Sequence, residues 1–426
     1  MIFLALLLPF MLGYSLILFL CKKEEINLLE SAAISFVLGS GFLTVLMTLF
    51  IALKIPLERS LIIIFLLIFI IISMLLNRKR LFFNFRLGWP KDWIFWVLIA
   101  LVTLQVFFVF SESMLKPVYT WDAAGNWIQR AKIIFYERLP VNFFGNDYPL
   151  HVPLFSAWFS IVGGGWDDQV YKITYPLYFL CMLASFYFVL RRNKKPAHSI
   201  FFVFFLATLP LLAYHATISY ADFTMAVFYY FTAACLYVGL LPLSLLFAGL
   251  MALVKTEGAF YLTGYLLVLG YYFWKKKKKK KDFFGSLGVL FAIILPWVLC
   301  RIIYRPPSGN KIIPDVPYTL DVIAGRFGFI LQTFYNKLLF EGNWNLAWFA
   351  LLIVSLIFIR RIFGTDLKYL YLLLFSAVLS IFMVFLFTEM YVWLSGASVT
   401  FNRTALHFVP IVVLCVGLAV ETEKTP

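Results

Sequence analysis

In the stretch YTWDAAGNWIQRAK, residues 119–132, a carboxylate stands between a tryptophan and two alanines just past a long apolar run. Read as a helix, the stretch places Asp122, Asn126, Gln129 and Arg130 at i, i+4, i+7 and i+8 on one face. Ala124, Trp127, Ile128, Ala131, Ile134 and Phe135 fill the other face. The pattern predicts an amphipathic helix in the headgroup region of a membrane, with Trp127 as its interfacial anchor. Asp122 then has two readings. It caps the helix N-terminus, where unpaired N–H groups favour an anion, or it is a carboxylate held at the surface for chemistry.

Further polar groups interrupt the chain at intervals. In NDYPLHVPLFSAWF, residues 146–159, Pro149 and Pro153 oppose a regular helix across the start. Asp147, Tyr148 and His151 on that backbone are either loop residues or pocket lining. The adjacent Asp167 and Asp168 of GGGWDD do not share a helix face, so they are not read as an acid pair. His215 and Asp222 flank a short turn in YHATISYADF, and Lys255 and Glu257 break the apolar run LMALVKTEGAFYL. Ionisable residues at membrane depth are costly and point to function, although a Lys–Glu pair that closes a turn would look the same. Arg403 and His407 stand at i, i+4 where SVTFNRTALHFVP enters the last apolar run. The five cysteines, at 21, 181, 235, 300 and 415, form no CxxC pair and read as buried hydrophobes. No metal ligand set is evident.

These groups must be positioned by membrane helices. The 426 residues are 63% hydrophobic and only 13% charged, with mean hydropathy +0.92. That excludes an ordinary soluble domain. Recurrent apolar runs near twenty residues imply an all-α polytopic membrane protein, not a β-barrel. The first run, Met1 to Cys21, has neither a basic n-region nor a small-residue cleavage site, so it reads as a retained helix. About thirteen spans are expected, at roughly 2–21, 30–53, 60–76, 93–110, 168–190, 198–215, 221–237, 239–256, 258–274, 284–303, 344–360, 369–388 and 405–421. Alternate loops carry 22 of the 36 Lys and Arg residues, including the run Lys275 to Lys281. Those loops should face the cytoplasm, with the N-terminus outside and the C-terminus inside. The net charge of +15 thus reads as membrane anchoring and not as nucleic-acid binding. Of 21 carboxylates, 13 fall on or near the outer side. Two outer segments, about 111–167 and 304–343, are too long for turns. The chain accordingly divides into N-terminal membrane helices, 1–92, and a region of catalytic character, 93–426.

The ordered set WDAxxxWxxRAK, DYPLxxPLxxAW, YAD, KxEG and NRxxxxxxP, over about residues 105–412, resembles bacterial membrane glycosyltransferases of the GT-C superfamily. The similarity is to relatives of dolichyl-phosphate-mannose–protein mannosyltransferases and lipid A aminoarabinose transferases. It implies a GT-C-like helical core with interfacial helices in the first large outer loop. Here that loop follows the fourth helix, where the superfamily places it after the first. The implied reaction is inverting transfer of a sugar from a polyprenyl-phosphate donor to a glycan, lipid or protein acceptor, at the outer face of the bacterial cytoplasmic membrane.

The catalytic aspartate of that loop corresponds to Asp122, which would orient or deprotonate the acceptor. Charge grows on the leaving phosphate, so fixed cations would stabilise the transition state more than the ground state. Lys255, Arg403, Arg130 and Lys132 are the candidates, with Arg301 and Arg305 behind them. Asp147, Tyr148, His151, Asp222, Glu257 and His407 are expected to contact substrate. Some members of the superfamily use a divalent cation, and nothing in this sequence requires one. Two other readings share parts of the pattern. One is a polysaccharide polymerase or O-antigen ligase. The other is a flippase or transporter for lipid-linked sugars, which would call for internal repeats and broken helices; no convincing repeat is evident.

Overall fold

A computed structural model describes residues 1–21, 26–78, 90–139, 148–304, 319–396 and 399–420. The described residues are helical, with no strand among them. Seven helices are long and apolar enough to cross a membrane. They include α1 (Ile2–Leu20), α2 (Leu28–Ala52), α3 (Arg59–Leu76) and α4 (Trp93–Leu115). The stretch Val170–Arg191, which contains α7 (Thr174–Arg191), α13 (Lys280–Tyr304) and α17 (Leu367–Phe387) complete the set. An eighth is added if α19 (Val399–Leu406) and α20 (Val409–Ala419), bent by 50° at their junction, count as one span. The protein is therefore an α-helical integral membrane protein.

Further helices run among these. They are α8 (Pro196–Ala207), α9 (Pro210–His215), α10 (Ala221–Tyr237), α11 (Leu241–Met251), α12 (Glu257–Lys275), α15 (Ala347–Ile357) and α16 (Ile359–Gly364). Two expected continuous spans are interrupted. The run 198–215 breaks between α8 and α9, where Pro210 cannot extend the ladder, and the run 344–360 breaks at Phe358. The two segments expected between spans hold helices of their own: α5 (Gln129–Glu137) and α6 (His151–Gly163) in the first, α14 (Leu320–Leu339) in the second. α18 (Met390–Gly396) follows α17.

Side-chain pairing sorts the loops into two ends. At one end Arg192 pairs with Glu30 at 3.0 Å and Lys276 with Asp366 at 2.8 Å, and Lys194 donates to the Val420 carbonyl. The first and last of these contacts join the loop at 191–195 to the start of α2 and to the residue after α20, and the Lys276 pair joins the basic loops at 275–281 and 360–368. At the other end the Leu57 N–H donates to the Arg138 carbonyl at 2.9 Å, Tyr304 OH to Ile51 O at 2.7 Å, and Arg326 Nη1 to Leu386 O at 3.1 Å. The alternation of charge along the sequence is thus matched by an alternation in space.

Close helix approach holds the bundle, because burying apolar surface gains little against lipid. α1 and α2 cross at paired glycines: a Cβ on Gly13 would lie 1.9 Å from the Ser35 carbonyl oxygen, and one on Gly39 1.7 Å from that of Pro9. All five cysteines are buried, as the sequence suggested.

Candidate active site

The expected helix around Asp122 forms in a different register. Residues Ala123–Ile128 make a π-helical turn that runs into α5. Such turns insert an extra residue and are common at functional sites. Asp122 therefore faces both Asn126 and Trp127. Its Oδ1 accepts from Asn126 Nδ2 at 3.3 Å and its Oδ2 from Trp127 Nε1 at 3.3 Å. The helix-cap reading is not realised, since Asp122 has helical φ and ψ and its side chain makes no capping bond. Its own N–H meets the Tyr220 hydroxyl at 3.4 Å.

Nor does Trp127 turn outward as an anchor. Trp127 is fully buried against Tyr148, ring centroids 5.2 Å apart, and Arg130 is buried while Ala124 is exposed. The π turn rotates the face that a uniform 3.6-residue period would bury, and α6 packs over it.

Asp222 opens α10 and is wholly buried. An isolated buried carboxylate would be prohibitive, and four donor contacts offset its desolvation. Lys255 Nζ approaches Oδ1 at 2.9 Å and His407 Nε2 approaches the same oxygen at 3.1 Å. Arg403 Nε and Nη2 approach Oδ2 at 2.8 and 2.7 Å. The same Nη2 also contacts Asp122 Oδ2, so one guanidinium joins two carboxylates 100 residues apart in sequence. Lys255 in turn pairs with Glu257 at 2.7 Å.

Three local features set this geometry. The break between α19 and α20 places His407 in the bend, where its Nδ1 lies 2.9 Å from Tyr261 OH. A carboxylate can only accept, so Nε2 carries the proton and Nδ1 accepts from the tyrosine. Lys255 sits in the tight turn between α11 and α12. Gly258 is needed there because a Cβ would lie 2.4 Å from the Met251 carbonyl oxygen. Tyr220 supplies a floor, with the Arg403 guanidinium 4.7 Å from its ring centroid and the buried His215 ring 5.6 Å away on an edge-to-face contact.

Of the residues expected to act, Asp122, Asp222, Lys255, Glu257, Arg403 and His407 converge on this cluster. Tyr148 borders it through Trp127. Arg130 lies behind, donating to the Tyr148 carbonyl at 3.1 Å; burial pushes its guanidinium pKa down, and Tyr148 partly offsets this.

Other expected residues point elsewhere. Lys132 lies 5.9 Å from the Trp166 ring centroid, and Arg301 stacks at 5.8 Å on Trp297. His151 begins α6 and turns into the helix core, where Nδ1 meets Thr44 at 2.8 Å and Nε2 meets Tyr178 at 3.4 Å. Pro153 is tolerated because it falls in the first turn of α6. Asp167 accepts from the Gln169 and Val170 N–H groups and Asp168 from the Trp166 indole N–H. Asp147 and Arg305 lie outside the described residues.

Tyr220, Tyr261, Asn126 and Trp127 were not singled out as site residues, yet each touches the cluster. Two signals were present: Tyr220 stands two residues before Asp222, and Tyr261 one helical turn after Glu257.

With neutral histidines the cluster holds three carboxylates, from Asp122, Asp222 and Glu257, against two cations, Lys255 and Arg403. The two aspartates differ in access. The Asp222 side chain is 0% exposed and that of Asp122 is 21% exposed. Asp222 can organise the cations but not meet a ligand, whereas Asp122 can do so. Among the described residues no group of three or more His, Cys, Asp or Glu side chains is arranged to hold a metal ion. No protein family, curated protein or solved structure matches the chain.

Proposed function

We propose that the protein is a membrane glycosyltransferase that moves a sugar from a polyprenyl-phosphate donor to an acceptor. In this reading the chain has a GT-C-like core and threads the membrane thirteen times. The helices α8 to α12 and α15 complete the crossings, and the basic loops lie in the cytoplasm. The cluster then faces the outer side of the bacterial cytoplasmic membrane. The observation that carries the reading is the Arg403 bridge between Asp122 and Asp222, at the end of the bundle opposite the basic loops. It supports the reading because an accessible carboxylate and two fixed cations stand side by side, the groups that a lipid-phosphate donor and an acceptor would require.

Chemically, the donor phosphate takes hydrogen bonds from Arg403 and Lys255. Arg403 shifts its donors from Asp122 to the phosphate, which leaves the Asp122 carboxylate free for the acceptor hydroxyl or amine. The acceptor attacks the anomeric carbon, its proton passes to Asp122, and the bond to the phosphate oxygen breaks. The charge that builds on the phosphate is stabilised by cations already held in place by Asp222 and Glu257. Asn126 and Trp127 fix the orientation of Asp122. The same donor logic serves a polymerase or ligase, so the acceptor class separates those readings. A flippase would need no base at Asp122.

The test is transfer of labelled sugar from a short-chain polyprenyl-phosphate sugar in proteoliposomes. Asp122→Asn should lower the rate by about 10²–10⁴-fold, the usual span for removing a general base, with insertion and folding unchanged. Near wild-type transfer by the Asn variant would remove Asp122 from the base role.

A further inference from the structure

One cavity lies away from the ion cluster. It is a groove of about 910 Å³ bounded by α1, α2, α4 and α7, with two residues of α8 at its edge. The four main walls all belong to candidate membrane spans, so its open side faces hydrocarbon. α7 packs against α2 and α10 and thereby separates the groove from Asp222. Its walls are almost wholly apolar, as at Phe10, Ile99, Val106 and Ala184. Apart from Thr103 in mid-helix, whose hydroxyl donates to the Ile99 carbonyl, its polar lining lies toward the basic-loop end, where Asn27 and Arg191 stand. Trp96 also lines that end and donates to the Pro90 carbonyl at 2.9 Å, the placement of an interfacial aromatic. Neighbouring basic side chains are engaged elsewhere, Arg192 by Glu30 and Lys194 by the Val420 carbonyl. Arg191 is exposed at the rim, where one Nη donates to the Lys194 carbonyl and the guanidinium also meets Tyr187, and Lys91 follows the lining residue Pro90.

We propose that this groove is a binding site for one anionic glycerophospholipid, drawn from the leaflet on the basic-loop side. Its acyl chains lie between α1 and α4 and its phosphate meets Arg191. The apolar walls select hydrocarbon, and the single-ended positive charge selects the sign and orientation of the headgroup. The site is separate from the Asp122 cluster and does not depend on the reaction proposed for it.

The test is native mass spectrometry of the delipidated full-length protein titrated with palmitoyl-oleoyl phosphatidylglycerol or the matching phosphatidylcholine. Wild type should keep one phosphatidylglycerol and prefer it over phosphatidylcholine. Arg191→Gln, at an exposed position, should weaken phosphatidylglycerol by about fivefold, the factor for one basic residue at an anionic headgroup. Ala184→Trp, which fills the groove from its wall, should abolish the one-to-one adduct. Equal retention of the two lipids, an adduct insensitive to both variants, no adduct on wild type, or a second copy of the chain in place of lipid would each overturn the proposal.

Discussion

Replacing Asp222 by asparagine keeps the shape of the side chain and removes its charge, which isolates what the buried carboxylate does. The carboxylate receives four close donor contacts, two on each oxygen. An amide can serve only one pair and turns its NH₂ toward the other. Whichever way it settles, one cation keeps an acceptor and the other loses one. Each lost hydrogen bond to a charged group is worth about 1.5–3 kcal/mol, and breaking one partner of a buried ion pair costs about 3–5 kcal/mol. Asp222→Asn should therefore destabilise by about 3–5 kcal/mol, read as a shift in denaturant midpoint at constant slope in detergent micelles. The partner variant Lys255→Met removes the donor that the amide would face. In the double variant the amide oxygen can turn to Arg403, so about 1–3 kcal/mol should be recovered relative to the sum of the singles. A cost for Asp222→Asn below about 1 kcal/mol, or additivity within about 0.5 kcal/mol, would refute the view that this carboxylate holds the two cations in place.

Other consequences can be checked separately. Gly258→Ala should destabilise by about 1–3 kcal/mol, as overpacking does, because its methyl group meets the Met251 carbonyl; in the transfer assay it should also lower the rate through Lys255, and a fully active, equally stable variant would contradict this. Single cysteines at Lys278 and at Thr217, in a background with the native five removed, should react with a membrane-impermeant maleimide from opposite sides of sealed vesicles. Reaction of both from one side would break the assignment of loops to two ends.

The broad architecture was legible because hydropathy and charge act over whole segments. Fourteen positive charges clustered at 191–195, 275–281 and 360–368 fix which loops share an end, and the pairing of Arg192, Lys276 and Lys194 follows that order. Six of the expected site residues also meet, since ionisable groups inside apolar runs persist only if something pays their desolvation. What failed to show was local. A 3.6-residue period cannot reveal a π turn, so Trp127 and Arg130 were assigned to the membrane surface and to the polar face, and both are buried. His151 looked like a site residue by its place beside Tyr148, but its partners Thr44 and Tyr178 come from distant helices and carry no nearby sequence signal. Asp222 emerged as the organising acid for the converse reason. Its role depends on Lys255, Arg403 and His407 arriving from three other segments, which only the packed bundle displays.

The central claim is that Arg403 and Lys255 receive a lipid phosphate while Asp122 faces the acceptor. A structure of the protein with bound polyprenyl phosphate tests it most directly. The account predicts phosphate oxygens within hydrogen-bond distance of Arg403 or Lys255, with the Arg403–Asp122 contact opened and the Asp122 carboxylate turned toward the vacant sugar position. A phosphate bound at the basic-loop end, or one that leaves the Arg403 bridge intact, would contradict it.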